Sequence, residues 1–416
     1  MSQIGARFLL TAYRLLGYGA LPFFTLSSLP PERRGFLPEA EIWIHAASVG
    51  EAVVAAAIIR AIKRIRPRSR LLLTLQTLTG LQKARELLAG IKGVKMARAP
   101  FDLPLYAKRA FERVSPRVFV LVETEIWPNL LEEARKRKVA MVLVNGRLSS
   151  RSFPRYQRLK PLLRYLLSGF YALGVIGPLE AKRFLKLGAQ EEKLFLLGNA
   201  KYDLIRERAQ QTSPAKSARR LSPESRWVVF GSVRRGEEET IANVISSLRR
   251  EIPGVSFLLA PRHLESLPSF EKALAQKGLK GQIWSRIKTP TTGLVLLDEI
   301  GPLFETYALA QVAFVGGSLV PKGGQNPLEP AAFKVPVLFG PHMENFPYES
   351  ERLVSTGGGR RINHEEELTK ALRHWLFQEA EREKAGLAAY RVLEEFAQAA
   401  ERYAELVIRA LNRLPL

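Results

Sequence analysis

The chain contains no cysteine. That absence excludes a thiolate nucleophile, a cysteine-ligated zinc and any disulfide framework, and it fits a reducing compartment. Histidine is scarce: His45, His263, His342, His364 and His374 are the five, and none falls in an HxH or HExxH spacing. A metal site built by the protein is therefore not expected. Acids are outnumbered, 40 Asp and Glu against 63 Lys and Arg, for a formal net charge of +23. Such a field attracts nucleic acid, anionic lipid or a polyanionic substrate. Also missing is an uninterrupted apolar stretch of the roughly 20 residues that a membrane-spanning helix needs.

What is present describes a folded protein. At 416 residues, with 46% hydrophobic and 25% charged side chains, the chain suits two domains, each with its own core. Two basic runs stand out: Arg60, Lys63, Arg64, Arg66, Arg68 and Arg70, then Arg147, Arg151, Arg155, Arg158, Lys160 and Arg164. Each reads either as a solvated face or as an anion-seeking patch. Aromatics are not interleaved with them as in a stacking platform, so no nucleic-acid partner is expected.

From Phe8 to Leu29 the chain is apolar apart from Arg14, and Gly17, Gly19 and Pro22 interrupt it. A central arginine argues against a spanning helix, and no convincing cleavage site marks a secretory signal. A peripheral or monotopic anchor fits better, with Tyr13, Tyr18, Phe23 and Phe24 at the interface and arginines on an anionic leaflet. The alternative is a helical hairpin packed on the protein's own core.

Strand-like and helix-like segments alternate through the rest. Ile42–His45, Leu71–Leu75, Val94–Ala97, Val118–Glu123, Val139–Asn145 and Ala172–Ile176 read as strands, separated by helical stretches such as Ala52–Ile65, Leu81–Leu88, Leu130–Lys138 and Pro178–Leu187. Nearly all-apolar strands between amphipathic helices mean a parallel sheet covered on both faces. The polar, Pro/Ser-rich run 206–225 reads as a linker or long surface loop. Alternation restarts with Trp227–Phe230, Val255–Ala260, Leu294–Leu297, Val312–Val315 and Val335–Phe339, and a long helix over about Glu381 to Arg413 closes the chain. The expected organisation is a membrane-associated segment at 1–30, Rossmann-like domains at 31–205 and 226–416, and a terminal helix able to pack back on the first domain.

Ligands of such sheets bind beyond the carboxyl ends of the strands. Polar groups gather there after nearly every strand. His45 to Glu51, Phe101 to Pro104, Glu123 to Asn129, Asn145 to Ser149 and Gly198 to Asp203 do so in the first half. Gly231-Ser232, Gly236 to Glu238, Pro261 to His263 and Asp298 to Pro302 do so in the second. Glu51 alone reads equally well as a first-turn helix acid. The segment Gly316-Gly317-Ser318-Leu319, followed by Gly323 to Pro330, suggests a strand ending in glycines that approach a ligand. A helix would then begin near Asn326 with Pro327 at its first position, offering N–H groups to an anion and Glu329 to a ribose diol.

The runs AASVGE, VETEIWPN, NGRLSSRS, GNAKYD, GSVRRGEE, APRH and FVGGSLVPKGGQNPLEP resemble, in order and over most of the chain, those of the bacterial 3-deoxy-D-manno-octulosonic acid (Kdo) transferases. The resemblance implies an inverting glycosyltransferase of the GT-B fold, an α/β architecture of two facing Rossmann-like domains with an interdomain cleft. It implies transfer of Kdo from CMP-Kdo to the lipid A precursor (lipid IVA) in lipopolysaccharide synthesis. The setting would be the cytoplasmic face of the inner membrane, with no cofactor and no catalytic metal. Position by position, Glu51 matches the family's catalytic base, and Glu123 and Lys201 its transition-state stabilisers. Pro261, Arg262, Ile300, Gly301, Pro302, Asn326, Pro327, Leu328 and Glu329 match positions that hold CMP. Arg147 and Arg151 are candidates for contact with the anionic acceptor. Gln325 stands where the family usually has histidine, and Pro302 where many members carry glutamate. The competing expectations are a GT-B enzyme using another nucleotide sugar and lipid acceptor, or a basic membrane-binding protein without catalysis.

Overall fold

The computed structural model describes residues 3–26, 29–149 and 152–414. They form two compact units, Met1–Leu204 with Ala397–Leu416, and Ile205–Phe396. The first contains β1 (Ile42–Ala46), β2 (Leu71–Leu75), β3 (Val94–Arg98), β4 (Val118–Val122), β5 (Ala140–Gly146), β6 (Ala172–Val175) and β7 (Leu194–Leu196). They pair in parallel in the order β3-β2-β1-β4-β5-β6-β7. Successive side chains of a strand face opposite ways, so Ile42 and Ile44 enter one core while Trp43 enters the other. Helices bury both faces, which is why these strands read as apolar runs and not as alternations.

The second unit contains β8 (Arg226–Val233), β9 (Val255–Pro261), β10 (Gln282–Ile283), β11 (Leu294–Leu296), β12 (Ala310–Val315), β13 (Val337–Phe339) and β14 (Gly359–Arg361). Their order is β10-β11-β9-β8-β12-β13-β14, again parallel. In each sheet the winding direction reverses beside the first strand, between β1 and β4 and between β8 and β12. Connections leaving such a pair diverge and open a crevice at the carboxyl ends.

Several boundaries differ from the sequence reading. The stretch 206–225 is not a free linker: the helix Lys201–Gln211 runs into it and Pro214–Ala218 is helical. Ser213 caps that short helix by accepting the Ala215 N–H at 3.3 Å, so the Ser-Pro signal marks a helix start. Leu221 is buried and bridges Thr291. The terminal helix is two helices, Glu379–Phe396 and Ala399–Asn412, broken at Gln398 with φ 76°. Asp203 accepts the Gln398 and Ala400 N–H groups at 2.7 and 3.1 Å, which stabilises the break. Within the first unit, Tyr403 and Val407 of the last helix join the core formed with the helix Val49–Ile65.

The N-terminal segment is one helix, Gln3–Leu26, continuous through Gly17 and Pro22, and so neither broken nor a hairpin. Gly17 permits close packing, since a Cβ there would stand 2.7 Å from Pro104 Cδ. Arg14 lies 3.8 Å from Glu133, and the Tyr13 hydroxyl donates to Asp102 at 3.1 Å. Phe24 packs on Phe101 at 4.8 Å between ring centroids. Tyr13 and Phe24 therefore face the protein, and the Phe23 side chain lies outside the described atoms. Phe8, Leu15 and Leu16, at 73%, 65% and 75% exposure, form an uncovered apolar stripe with Tyr18. Among the described residues no helix is long and apolar enough to cross a membrane.

Candidate active site

The crevice of the first sheet collects acids. After β1, Ser48 caps the helix Val49–Ile65 by accepting the Glu51 N–H at 3.3 Å. Glu51 folds back, accepting the Ala47 N–H at 2.7 Å and the Ser48 hydroxyl at 2.9 Å. This is the reciprocal arrangement of a capping box, shifted by one residue. Burial to 8% exposure pushes the Glu51 carboxyl up to about 7. The Glu125 and Glu123 charges add to the rise, and its two donors oppose it.

Glu123 follows β4 with φ 58°, a left-handed conformation that costs a non-glycine residue on the order of 1 kcal/mol or more. Its Oε1 lies 3.0 Å from Lys201 Nζ, and Asn145 Nδ2 approaches it at 3.5 Å. Asn145, itself at φ 55° near the end of β5, also accepts the Ala200 N–H at 2.9 Å, fixing the start of the helix that carries Lys201. Lys201 Nζ stands 3.6 Å from where a Cβ on Gly50 would be, so the ammonium reaches the first turn that holds Glu51. Glu125 accepts the Trp127 indole N–H at 2.7 Å, and burial raises its carboxyl above the usual range. The structure thus brings Glu51, Glu123 and Lys201 together and adds Asn145 and Glu125, which were not singled out as site residues.

Two polar groups read as rim residues are structural. Asp102 caps the helix Pro128–Lys136 across the fold, accepting the Asn129 and Leu130 N–H groups at 3.0 and 2.8 Å. Buried His45 is held neutral, its imidazolium pushed down to about 3 by burial and the nearby Arg33.

In the second sheet the glycine segment behaves differently from expectation. A Cβ on Gly316 would lie 2.3 Å from Val233 Cα, so the glycine permits backbone to meet backbone and not a ligand. The N–H groups of Gly317, Ser318 and Leu319 are already taken by Glu237, at 2.9, 3.1 and 3.1 Å. Glu237 also accepts the Arg234 N–H at 2.7 Å and is fully buried. The helix after Asn326 is only four residues, Leu328–Ala331, with Pro327 in the capping position, not at the first helical residue. Asn326 Oδ1 accepts the Leu328 N–H at 3.1 Å, so that donor is not offered to an anion. Glu329 is partly exposed; burial raises its carboxyl, against the pull of Arg208 and Arg262. Arg262 follows β9, its N–H bonded to Val233 O at 2.9 Å. Ile300 projects at 88% exposure before Gly301, which has φ 117° and open space where a Cβ would be.

Residues 29–204 match the family model described as 3-deoxy-D-manno-octulosonic-acid transferase (kdotransferase). A 3-deoxy-D-manno-octulosonic acid transferase of Haemophilus influenzae is 34% identical over 393 residues, 92% of this chain and 91% of that protein. The chain belongs to the Kdo transferase family. A second relative of the same description, from Chlamydophila psittaci, is 32% identical over 79% of this chain and 75% of its own. In fold, the chain is similar to UDP-GlcNAc 2-epimerase from Neisseria meningitidis, with TM-score 0.61 and 12% identity, covering 89% of this chain and 99% of that one. A glycosyltransferase from Rickettsia africae gives TM-score 0.58 and 10% identity, covering 91% and 100%. The two parallel seven-stranded sheets are those of the GT-B fold, and the protein is a glycosyltransferase that moves Kdo.

In this Kdo transferase the two basic runs have different surroundings. Arg64, Arg66 and Arg70 of the first are paired with Glu401, Glu41 and Glu39, each at 3.1 Å. Lys63 donates to the Pro67 and Ser69 carbonyls and Arg60 to the Leu87 carbonyl, so this run is largely consumed within the fold. In the second run, among the described residues, no carboxylate lies in ion-pairing distance of Arg147, Arg155 or Arg158. Arg147 is exposed, and its carbonyl accepts the Thr124 hydroxyl, tying the loop after β5 to the one after β4. Arg151 lies outside the described residues. Gln325 sits beside Gly317, its Nε2 3.7 Å from the position of a Cβ there.

Proposed function

We propose that this Kdo transferase uses CMP-Kdo as donor and the lipid A precursor (lipid IVA) as acceptor, inverting the anomeric centre with Glu51 as general base. One observation carries the proposal: a carboxyl with proton affinity near neutrality, held by two hydrogen bonds at the switch point of its sheet. A base poised near the working pH is effective because it is ionised yet still takes a proton readily. The acceptor oxygen attacks the anomeric carbon, its proton passes to Glu51, and the bond to the CMP phosphate breaks with its electron pair leaving on phosphate. Attack opposite the leaving group gives inversion. Lys201, oriented by Glu123 at 3.0 Å, balances the negative charge that develops.

In the second unit, Arg262 counters the donor's anionic groups. Glu329 receives the ribose hydroxyls, and the turn Ile300-Gly301-Pro302, Pro261 and the Asn326-Pro327-Leu328 segment line the nucleotide. A single phosphate leaves, so basic residues replace a metal clamp and no cofactor is needed. The uncovered stripe of Phe8, Leu15, Leu16 and Tyr18 supports attachment to the cytoplasmic face of the inner membrane through the N-terminal helix. The exposed bases near Arg147 suit a phosphorylated glycolipid acceptor.

The test is transfer of Kdo from enzymatically generated CMP-Kdo to a tetraacylated lipid A precursor with EDTA present. Product in EDTA establishes donor, acceptor and metal independence together. No product, while CMP still protects the protein against thermal unfolding, would overturn the acceptor or the sugar and keep the nucleotide. Protection by UMP and not CMP would overturn the nucleotide as well.

A further inference from the structure

The helix Lys201–Gln211 also carries Arg206 and Arg208, and Arg208 lies seven residues beyond Lys201, inside the stretch whose composition suggests a linker. Its guanidinium stacks over the Phe304 ring at 4.1 Å. Phe304 is in turn braced edge-on by Phe333 at 5.0 Å between centroids. A guanidinium held over an aromatic ring is restrained by the cation–π attraction while its N–H groups can still meet phosphate oxygens. Arg208 lines a cavity of about 500 Å³ together with Arg219, Arg220, Glu299, Glu305 and the Gly301-Pro302 turn. Its charge, with that of Arg262, acts on Glu329. Among the described residues no carboxylate lies in ion-pairing distance of its guanidinium, whereas Arg220 in the same cavity is 3.7 Å from Glu299.

We propose that Arg208 binds the phosphate of the nucleotide donor, acting together with Arg262, whose charge also reaches Glu329. The inference rests on the donor reading given above and deepens it. The Arg208 guanidinium carbon lies over a braced ring in the cavity that the Gly301-Pro302 turn also lines, and among the described residues no carboxylate pairs with it. CMP-Kdo brings a phosphodiester with one negative charge, and departure of CMP converts it to a monoester with a second. A planar, permanently charged partner gains most from that change.

Titrate wild type, Arg208→Ala and Arg208→Lys with CMP and, separately, with cytidine. The expected result is a loss of roughly tenfold or more in CMP affinity for the alanine variant, with cytidine affinity unchanged. Lysine should restore part of the CMP affinity and not all of it, because a point charge replaces a fork. Equal losses for CMP and cytidine would overturn the proposal by showing a structural role, and retained cytidine binding serves as the folding control. Unchanged CMP affinity with a raised KM for CMP-Kdo would overturn it in favour of the sugar carboxylate. Unchanged affinity and KM would overturn it outright. Wild type that binds neither CMP nor cytidine would show instead that the donor reading has failed, and this inference with it.

Discussion

The turn after β1 and the turn after β8 occupy equivalent places, each leaving the first strand of a parallel sheet at the point where strand order reverses. Each carries a glutamate hydrogen-bonded to nearby backbone, yet the two acids are used in opposite ways. Glu237 accepts four backbone N–H groups and has no exposed surface. Burial raises its carboxyl above the usual range, the four donors oppose that rise, and together they fasten the loop after β12 to the turn after β8. Glu51 accepts one backbone N–H and one hydroxyl, and the charges of Glu125 and Glu123 oppose its ionisation. The same residue type at the same topological position is a strut when its oxygens are saturated. When they are undersupplied and face other acids, as at Glu51, it is the carboxyl proposed as base.

The comparison breaks most visibly in rate. Glu51→Gln should lower kcat by roughly 10²- to 10⁴-fold while CMP affinity stays within twofold of wild type, because a positioned base typically contributes that much. Measurable transfer at near wild-type rate would return Glu51 to a capping role. Glu237→Gln should act on stability instead. An amide nitrogen would face two of the four N–H donors, leaving them buried and unpaired at a cost of roughly 2–5 kcal/mol. The denaturation midpoint of the full chain should fall accordingly, and a midpoint equal to wild type would contradict the accounting.

A pH series sharpens the contrast. Burial and the neighbouring acids push the Glu51 carboxyl up to about 7 in the native chain, from an ordinary value of 4.5. Between those values the native state binds more protons than the unfolded one, so stability falls as pH rises through that window. Relative to wild type, Glu51→Gln should therefore gain, by on the order of 3 kcal/mol, between about pH 4.5 and 7, and show no further change above. Activity runs the other way: kcat/KM of wild type should climb through about pH 7 as the base ionises. A stability difference independent of pH would argue against the raised proton affinity.

Much of the scaffold was legible because its strands are unbroken apolar runs. Leu71–Leu75 and Val118 onward could hardly be anything else between helical stretches, and their edges fall within a residue of β2 and β4. The strands that escaped notice, β7, β10 and β14, are two or three residues long, and β14 ends in two exposed arginines. Only pairing with β13 makes them a strand. The cluster of Glu51, Glu123 and Lys201 was anticipated as separate motif positions at strand ends. What sequence could not supply was long-range pairing. Nothing in Gly236-Glu237-Glu238 says which acid is buried, and three of the four N–H groups bonded to Glu237 lie about eighty residues away. Arg208 was hidden by composition, since a polar Pro/Ser-rich neighbourhood looks like a linker even where it is helical.

The smallest expected effect concerns what borders the reactive turn of the first sheet. The Thr124 hydroxyl holds the Arg147 carbonyl, so the loop after β5 is fixed against the loop bearing Glu123, and the Arg147 side chain is exposed there. An acceptor carrying phosphates would meet this charge in largely solvated surroundings, where one ion pair contributes about 1 kcal/mol or less. Arg147→Glu adds repulsion to that loss, and KM for the lipid acceptor should rise about three- to tenfold while CMP affinity holds. Arg70→Glu makes the internal control, because Arg70 is already paired with Glu39 at 3.1 Å. Its reversal should leave acceptor KM alone. If both substitutions raised the acceptor KM equally, net charge and not position would govern acceptor capture, and the first-sheet crevice would lose its claim to the acceptor.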